Sequence, residues 1–317
     1  MSFLLQKFDF KGDYSDMEIK EFSRVMAREV SDKLGEGIQI ECTEVLKNNG
    51  VVYHALTIRK QDQNVAPTIY IDHMLEKYNR GAMLMSLVDD VVGMYKQCAP
   101  ATDTNVDFFD DFSVVSERLF FKAVNYKKNE KKLENVPIKR VLDLALVPLA
   151  LFEHPKLGSG TIMIENSHLD IWEITEEELW ENVIENAPKF QSVKIKGIMD
   201  VLEKMTGMPA PMPGGGDELC GIYVISNKEE CLGAATIFYP DVLKGIAEDF
   251  ESDIYVIPSS IHECIIIPDA FLGLDVEYLR RIIREVNVTT VADEEILSDN
   301  LYKYDRDSDR LFIVKEA

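Results

Sequence analysis

Two apolar, β-branched runs, 254–257 and 264–268, enclose a short polar insert that holds Ser259, Ser260, His262 and Glu263. Hydroxyl, imidazole and carboxylate side chains this close together are the ingredients of nucleophilic or general acid–base catalysis. On a regular strand, residues two apart share a face, which sets Ser260 with His262 and puts Ser259, Ile261 and Glu263 on the other side. Catalysis asks for more. A base must hold the nucleophile and a carboxylate must hold the base, a geometry that close neighbours on one strand rarely reach. There is also no Gly-x-Ser-x-Gly elbow to expose a serine above a sheet. The insert is therefore expected to shape a turn, with the serine hydroxyls capping it after Pro258 and His262 bonding to backbone. Ligand contact and catalysis by Ser259, Ser260, His262 and Glu263 are the alternatives.

Other groupings are less complete. His154, His168, Asp170, His262 and Glu263 could together hold a metal, but no pair has His-Glu-x-x-His or comparable spacing, so no metal site is expected. Asp305, Asp307, Asp309 and Glu316 match positions one, three, five and twelve of a calcium loop, yet Arg310 stands where that loop needs glycine and the flanks read as strands. A solvated hairpin turn fits better. Gly214, Gly215 and Gly216 follow a helix and lack the Gly-Lys-Ser/Thr ending of a phosphate loop, so no cofactor is expected there or elsewhere. Lys127, Lys128, Lys131 and Lys132 read as a hairpin tip in water that could touch an acidic partner. Trp172 and Trp180 read as core anchors.

The elements that must position these residues follow from periodicity. A helix is expected over 16–34, capped by Ser15 or Asp16 and stopped by Gly35, then a hairpin of 38–46 and 51–59 around Lys47, Asn48, Asn49 and Gly50. A strand at 67–71 leads to one helix over 75–96, and 99–111 reads as a polar connection. Strands at 117–125 and 141–153 flank the lysine-rich segment, a strand at 161–164 follows, and 176–186 is helical. The stretch 207–217 combines prolines with three glycines and is read as a loop. Beyond it come strands at 220–226 and 234–239, a helix at 241–249, the two runs around the polar insert, a helix at 276–286 and a last hairpin over 300–314. This pattern predicts an α+β fold of two domains, 1–105 and 106–317, each a largely antiparallel sheet with helices packed on one face.

Composition limits the partners. Lysine and arginine number 34 against 56 aspartates and glutamates, a formal charge of −22. Such a charge disfavours general attraction to nucleic acid or anionic lipid. The longest apolar stretch, 141–152, is interrupted by Asp143 and Pro148 and is too short to span a bilayer, and the first residues do not read as an export signal. Five cysteines without Cys-x-x-Cys spacing read as reduced thiols of a cytoplasmic protein.

Several separated segments carry a resemblance: Lys47 to Gly50 with Leu56, Thr57 and Ile58; 66–70; His168 to Trp172; Gly233, Ala234 and Ala235; Pro258 to Glu263; and Leu297, Ser298 and Asp299 ahead of 302–305. Together they resemble an uncharacterised family of anaerobic gut bacteria. The resemblance implies a bacterial cytoplasmic protein and brings no activity, cofactor or active site with it. The expected function is non-enzymatic binding or regulation, through an unidentified protein or small-molecule partner and without nucleic acid or membrane. The alternative is a hydrolase or transferase with its site assembled around Ser260, His262 and Glu263.

Overall fold

The computed structural model describes residues 17–61, 66–98, 107–154, 158–207, 221–271 and 275–315. The chain divides into two compact units, one within 1–46 and 52–104, the other of 47–51 and 105–317. Every strand pairing among the described residues is antiparallel, and helices pack on the sheets, so the fold is α+β.

The first unit begins with α1 (Ile19–Leu34), whose buried face of Phe22, Met26 and Val30 recurs at helical spacing. Glu18, not Ser15 or Asp16, stands at the cap position and makes no side-chain cap bond. Residues 15 and 16 lie outside the described ones. Gly35 ends the helix at φ +82° as expected. β1 (Ile38–Leu46) and β2 (Val52–Lys60) pair from Ile38↔Lys60 to Leu46↔Val52, and β3 (Thr68–Tyr70) adds to β2. The single helix expected over 75–96 is instead α2 (Asp72–Asn79) and α3 (Leu84–Cys98). Gly81 takes φ +98° while the N–H groups of Gly81 and Ala82 donate back to the Tyr78 and Lys77 carbonyls, which closes α2 before α3 starts. Leu56, Ile58, Ile71, Met74, Val88 and Val91 complete this unit's core.

In the second unit, α4 (Phe112–Ser116) precedes β4 (Leu119–Asn125) and the short α5 (Tyr126–Asn129), so the lysine-rich tip is helical, continuing into a 3-10 turn at Glu130–Leu133. The run expected as one strand over 141–153 is broken: β5 (Lys139–Val141) and β6 (Leu144–His154) form a hairpin turned at Leu142, φ +55°, and Asp143. β4 lies along one edge of β6, and β5 and then β7 (Gly158–Met163) along the other. Pro148 is tolerated inside β6 because it falls between the β5 partners at 144–146 and the β7 partners at 149–154, where no ladder donor is needed. α6 (Asn166–Trp172) and α7 (Glu176–Phe190) follow, and Trp180 of α7 packs edge-on to Phe121 of β4.

β8 (Val193–Gly197), α8 (Ile198–Thr206), β9 (Tyr223–Asn227), α9 (Val242–Asp249), β10 (Ile254–Ile257), β11 (Cys264–Pro268), α10 (Val276–Thr289), β12 (Tyr302–Asp305) and β13 (Arg310–Ile313) complete the unit. Their sheet runs β13-β12-β10-β11-β9-β8. One cluster, with Ile225, Ile254, Val256, Ile266 and Tyr302, joins the core of the β4–β7 sheet; the alternate residues Tyr255 and Ile267 pack with Leu279 and Ile283 of α10. The strand expected at 234–239 is a 3-10 helix, Gly233–Phe238. Thr236 and Ile237 favour strands, but the Thr236 hydroxyl donates to the Gly233 carbonyl (2.7 Å) inside a buried turn, and tertiary packing wins over that weak preference. Apart from Gly207, the Pro/Gly-rich loop at 207–217 lies outside the described residues.

Candidate functional site

The polar insert is the connection of the β10–β11 hairpin, whose last pair is Ile257↔Ile265. A sheet cannot pair the backbone there, and the insert supplies its own partners. The Ser260 hydroxyl accepts the His262 N–H at 3.0 Å, and the Ser260 N–H reaches the Glu263 carbonyl at 3.2 Å. His262 Nδ1 accepts the Leu232 N–H at 3.1 Å, which fixes that nitrogen as unprotonated; Nε2 lies 3.4 Å from Glu295 Oε1. The His262 carbonyl accepts from the Ser226 hydroxyl at 2.8 Å. Ser260 and His262 are thus brought together, but hydroxyl to backbone rather than hydroxyl to ring. Ser259 is half-buried and makes no hydrogen bond among the described residues.

Glu263 turns away from this set. With Lys194, Lys196, Val201, Val224, Ser226 and Glu230 it lines a shallow pocket of about 290 Å³, open mouth included. Lys194 (2.8 Å) and Lys196 both donate to Glu230 Oε1, and those bonds pull the Glu230 carboxyl down to about 2. The pocket's cations are therefore already satisfied by an exposed carboxylate.

Gly233 explains why the insert and the 3-10 helix sit so close. A Cβ at this position would lie 2.2 Å from Ser226 Oγ, 2.4 Å from Asn227 N and 2.8 Å from the His262 carbonyl oxygen. Only glycine permits that approach.

The segment 292–299 ties this loop to two others. The Ile261 N–H donates to the Glu295 carbonyl at 2.9 Å. Asn49, at φ +59° in the turn 47–51, donates its amide to the carbonyls of Asp293 (2.8 Å) and Ile296 (2.7 Å), while Asn48 donates to Glu294 (2.7 Å). Asn49 and Asn129 also exchange bonds at 2.9 and 3.0 Å. Further on, Asp143 at the β5–β6 turn accepts from Ser298 (2.6 Å), Asn300 (3.0 Å) and Tyr302 (2.7 Å). Burial, reinforced by the Asp143 charge, pushes the Tyr302 hydroxyl well above its ordinary range.

A second polar cluster borders the same segment. Lys122 interrupts the buried run of β4, and Lys132 and Lys47 approach it. Burial first, then the charges of Lys132 and Lys47, lower the Lys122 ammonium from 10.5 to about 8. Lys132 is lowered by burial and by Lys47, with Glu294 opposing.

Among the other residues singled out from sequence, His168 accepts the Glu165 N–H at 2.9 Å and stands edge-on to Phe109, with its ring held neutral by burial, while Asp170 is exposed. The His154 side chain, Glu316 and Gly214 to Gly216 lie outside the described residues. No group of three His, Cys, Asp or Glu among the described residues is placed to hold a metal. Asp305 accepts from the Ser308 N–H and hydroxyl, and Asp309 from the Tyr304 hydroxyl, so these acids serve the β12–β13 turn. Trp172 and Trp180 are buried and donate to the Phe109 and Pro137 carbonyls. Sequence reasoning missed Glu295, Asn49, Asp143 and Lys122 as members of these networks. Asp143 and Lys122 did carry a signal, each being a charged residue inside an apolar run.

Fold and networks together define an α+β protein of antiparallel sheets whose polar side chains mainly hold loops to one another. Residues 19–306 match the model of a family of unknown function, DUF5688, and the chain belongs to that family. The match agrees with the expectation of an uncharacterised family. No curated protein and no solved structure matches the chain. No helix among the described residues is long and apolar enough to cross a membrane.

Proposed function

We propose that this chain is a non-enzymatic binding or regulatory protein of the cytoplasm, acting on a protein or small-molecule partner and not on nucleic acid. The observation that carries this reading is the engagement of His262. Its Nδ1 is taken by the Leu232 N–H, its Nε2 faces Glu295, and the Ser260 hydroxyl is bonded to backbone. A hydrolase or transferase built on Ser260, His262 and Glu263 would need His262 to hold the nucleophile, and Glu263 points into a different pocket. The net charge of −22 supports a partner other than nucleic acid. Four free thiols among the described residues, Cys42, Cys98, Cys231 and Cys264, support a reducing compartment.

Native mass spectrometry of the purified chain is expected to retain a copurifying ligand or protein, and Ser260→Ala is expected to keep it. Turnover of a generic ester or phosphoester substrate that Ser260→Ala abolishes, with the melting temperature unchanged, would overturn the reading in favour of the enzyme.

A further inference from the structure

A strand at the edge of a sheet leaves every second residue with an N–H and a C=O that the sheet cannot pair, and proteins blunt such edges with short strands, lysines, prolines or bulges. Most edges of this fold are poor templates. β3, β5 and β13 span three or four residues, β4 is largely buried, β7 holds two glycines and β8 carries Lys194 and Lys196. β1 is different: it runs nine residues in unbroken register with β2, holds no lysine, arginine, proline or glycine, and pairs with no strand on its far side among the described residues.

The ends of the ladder fix which backbone groups face outward. The Gln61 N–H donates to the Gly37 carbonyl at 3.0 Å and the Lys47 N–H to the Val51 carbonyl at 2.7 Å, so the odd-numbered residues of β1 are the ones bonded to β2. The Ile71 N–H donates to the carbonyl of His54, the residue opposite Glu44, which turns that backbone toward β3 and agrees with this parity. Ile38, Ile40, Cys42, Glu44 and Leu46 therefore present both backbone groups to the open edge, and none of these groups bonds to another described residue.

The surroundings of the edge select its occupant. α1 packs along β1, and Lys20 Nζ of α1 stands 3.7 Å from Glu44 Oε1. Arg24 and Arg28 follow Lys20 at one-turn intervals on the same helix face, and all three are exposed. Burial raises the Cys42 thiol and the Arg24 charge opposes that rise, in keeping with an Arg24 beside the middle of the strand. Lys20 has Glu44 and Arg28 has Glu29 (2.7 Å), while Arg24 has no ion pair among the described residues. One helical turn advances about 6 Å and two strand residues about 6.8 Å, so alternate side chains of an added strand keep step with this row. A second copy of the chain fits poorly, because pairing β1 with itself would set two α1 helices over strands about 4.8 Å apart, where packed helices need about 8–10 Å. An extended segment brings no helix with it.

We propose that the outer edge of β1 docks an extended protein segment with acidic residues at alternate positions, added as a fourth strand with those acids beside Arg24 and Arg28. This gives the binding reading a partner class and rests on that reading. Main-chain bonds supply the affinity and the cation row selects the side chains. Glu41, exposed on the opposite face, disfavours a second row of acids there.

The test titrates the full chain with two short capped peptides, one alternating threonine with glutamate and the other threonine with lysine, followed by calorimetry and amide hydrogen exchange. The expected result is saturable binding of the glutamate peptide, at least about tenfold tighter than the lysine peptide, with slowed exchange at Ile38, Ile40, Cys42, Glu44 and Leu46. Arg24→Glu, an exposed substitution, is expected to weaken that binding at least about tenfold. Cys42→Pro is expected to abolish it while keeping the ladder to β2, because the Cys42 N–H points outward. If Cys42→Pro does not fold, Arg24→Glu carries the test. No saturation with the glutamate peptide, equal binding of both peptides, unchanged affinity in Arg24→Glu, or binding that leaves those five amides exchanging as before overturns the proposal. So does a dimer of the free chain that Cys42→Pro dissociates, which would assign the edge to a second copy. After any of these results a copurifying ligand that survives Arg24→Glu leaves the binding reading standing, whereas the turnover result described for Ser260→Ala removes that reading itself.

Discussion

Replacing Lys122 by methionine isolates the cost of a half-buried ammonium. In the unfolded chain this lysine titrates near its ordinary 10.5, and in the fold it titrates near 8. The unfolded state therefore binds more protons than the folded state between those values, and stability must rise with pH across that window. At pH 7 the charged form costs the fold up to about 3 kcal/mol, from roughly 1.4 kcal/mol for each pH unit separating the two states, an upper bound because the amine keeps part of its hydration. Lys122→Met lacks that cost, so it should be the more stable protein at pH 7. Its advantage should shrink from about 3 kcal/mol at pH 8 to about 1 kcal/mol at pH 10. Other groups run the opposite way: Cys264 and Tyr302 keep their protons in the fold and lose stability as pH rises past their ordinary values. Both are present in both proteins and cancel in the difference. Urea unfolding of the pair at pH 7, 8, 9 and 10 measures it. Parallel curves, or a variant less stable than the parent at pH 7, would refute the reasoning and mean that the ammonium is fully solvated.

Gly233→Ala should cost at least about 2 kcal/mol, because the methyl group would collide with Ser226, Asn227 and the His262 carbonyl, and overpacking of a buried backbone contact typically costs 1–3 kcal/mol; chemical unfolding checks it. Asn49→Ala removes two amide bonds to the 293–296 carbonyls at a residue with φ +59°, a combination expected to cost roughly 2–3 kcal/mol and to speed amide hydrogen exchange in segment 292–299. Asn49→Gly, which keeps the backbone freedom but not the bonds, should recover only part of that loss. His262→Ala strips the partner from the Leu232 N–H and should lower stability by about 1–2 kcal/mol; an unchanged melting temperature combined with loss of a copurifying ligand would mark His262 as a contact residue instead.

Local signals were strong where one residue decides the outcome. Gly35 stops α1, and Asn49 and Gly50 take the positive φ values that the β1–β2 turn needs. The antiparallel α+β character followed from alternating runs whose partners are close in sequence. The breaks were less legible. Residues 75–96 keep an apolar stripe across Gly81, so periodicity alone runs through a point where backbone geometry stops the helix. The 3-10 helix at Gly233–Phe238 reads as a strand because the decisive fact, the space left beside Ser226 and His262, belongs to residues distant in sequence. The same holds for the site. Which residues carry hydroxyls and imidazoles is visible at once, but whether a hydroxyl points at a ring nitrogen or at an amide depends on Leu232 and Glu295, each about thirty positions from His262 in the chain.

Segment 292–299 shows how such separated signals become one structure. It forms no strand or helix, so its carbonyls are open to side chains, and it takes them from Asn48, Asn49, Asn125 and Asn287. Asparagine suits this work because its amide donates to one carbonyl while its oxygen accepts elsewhere, as Asn49 does with Asn129. Ser298 adds a fully buried hydroxyl aimed at Asp143, and Glu295 accepts the Ile261 N–H from the polar insert. Each of these bonds would cost its desolvation if left unmade, so the turn at 47–51, the insert at 258–263 and the β5–β6 turn are held to a common line by mutual satisfaction together with burial of Ile296 and Leu297.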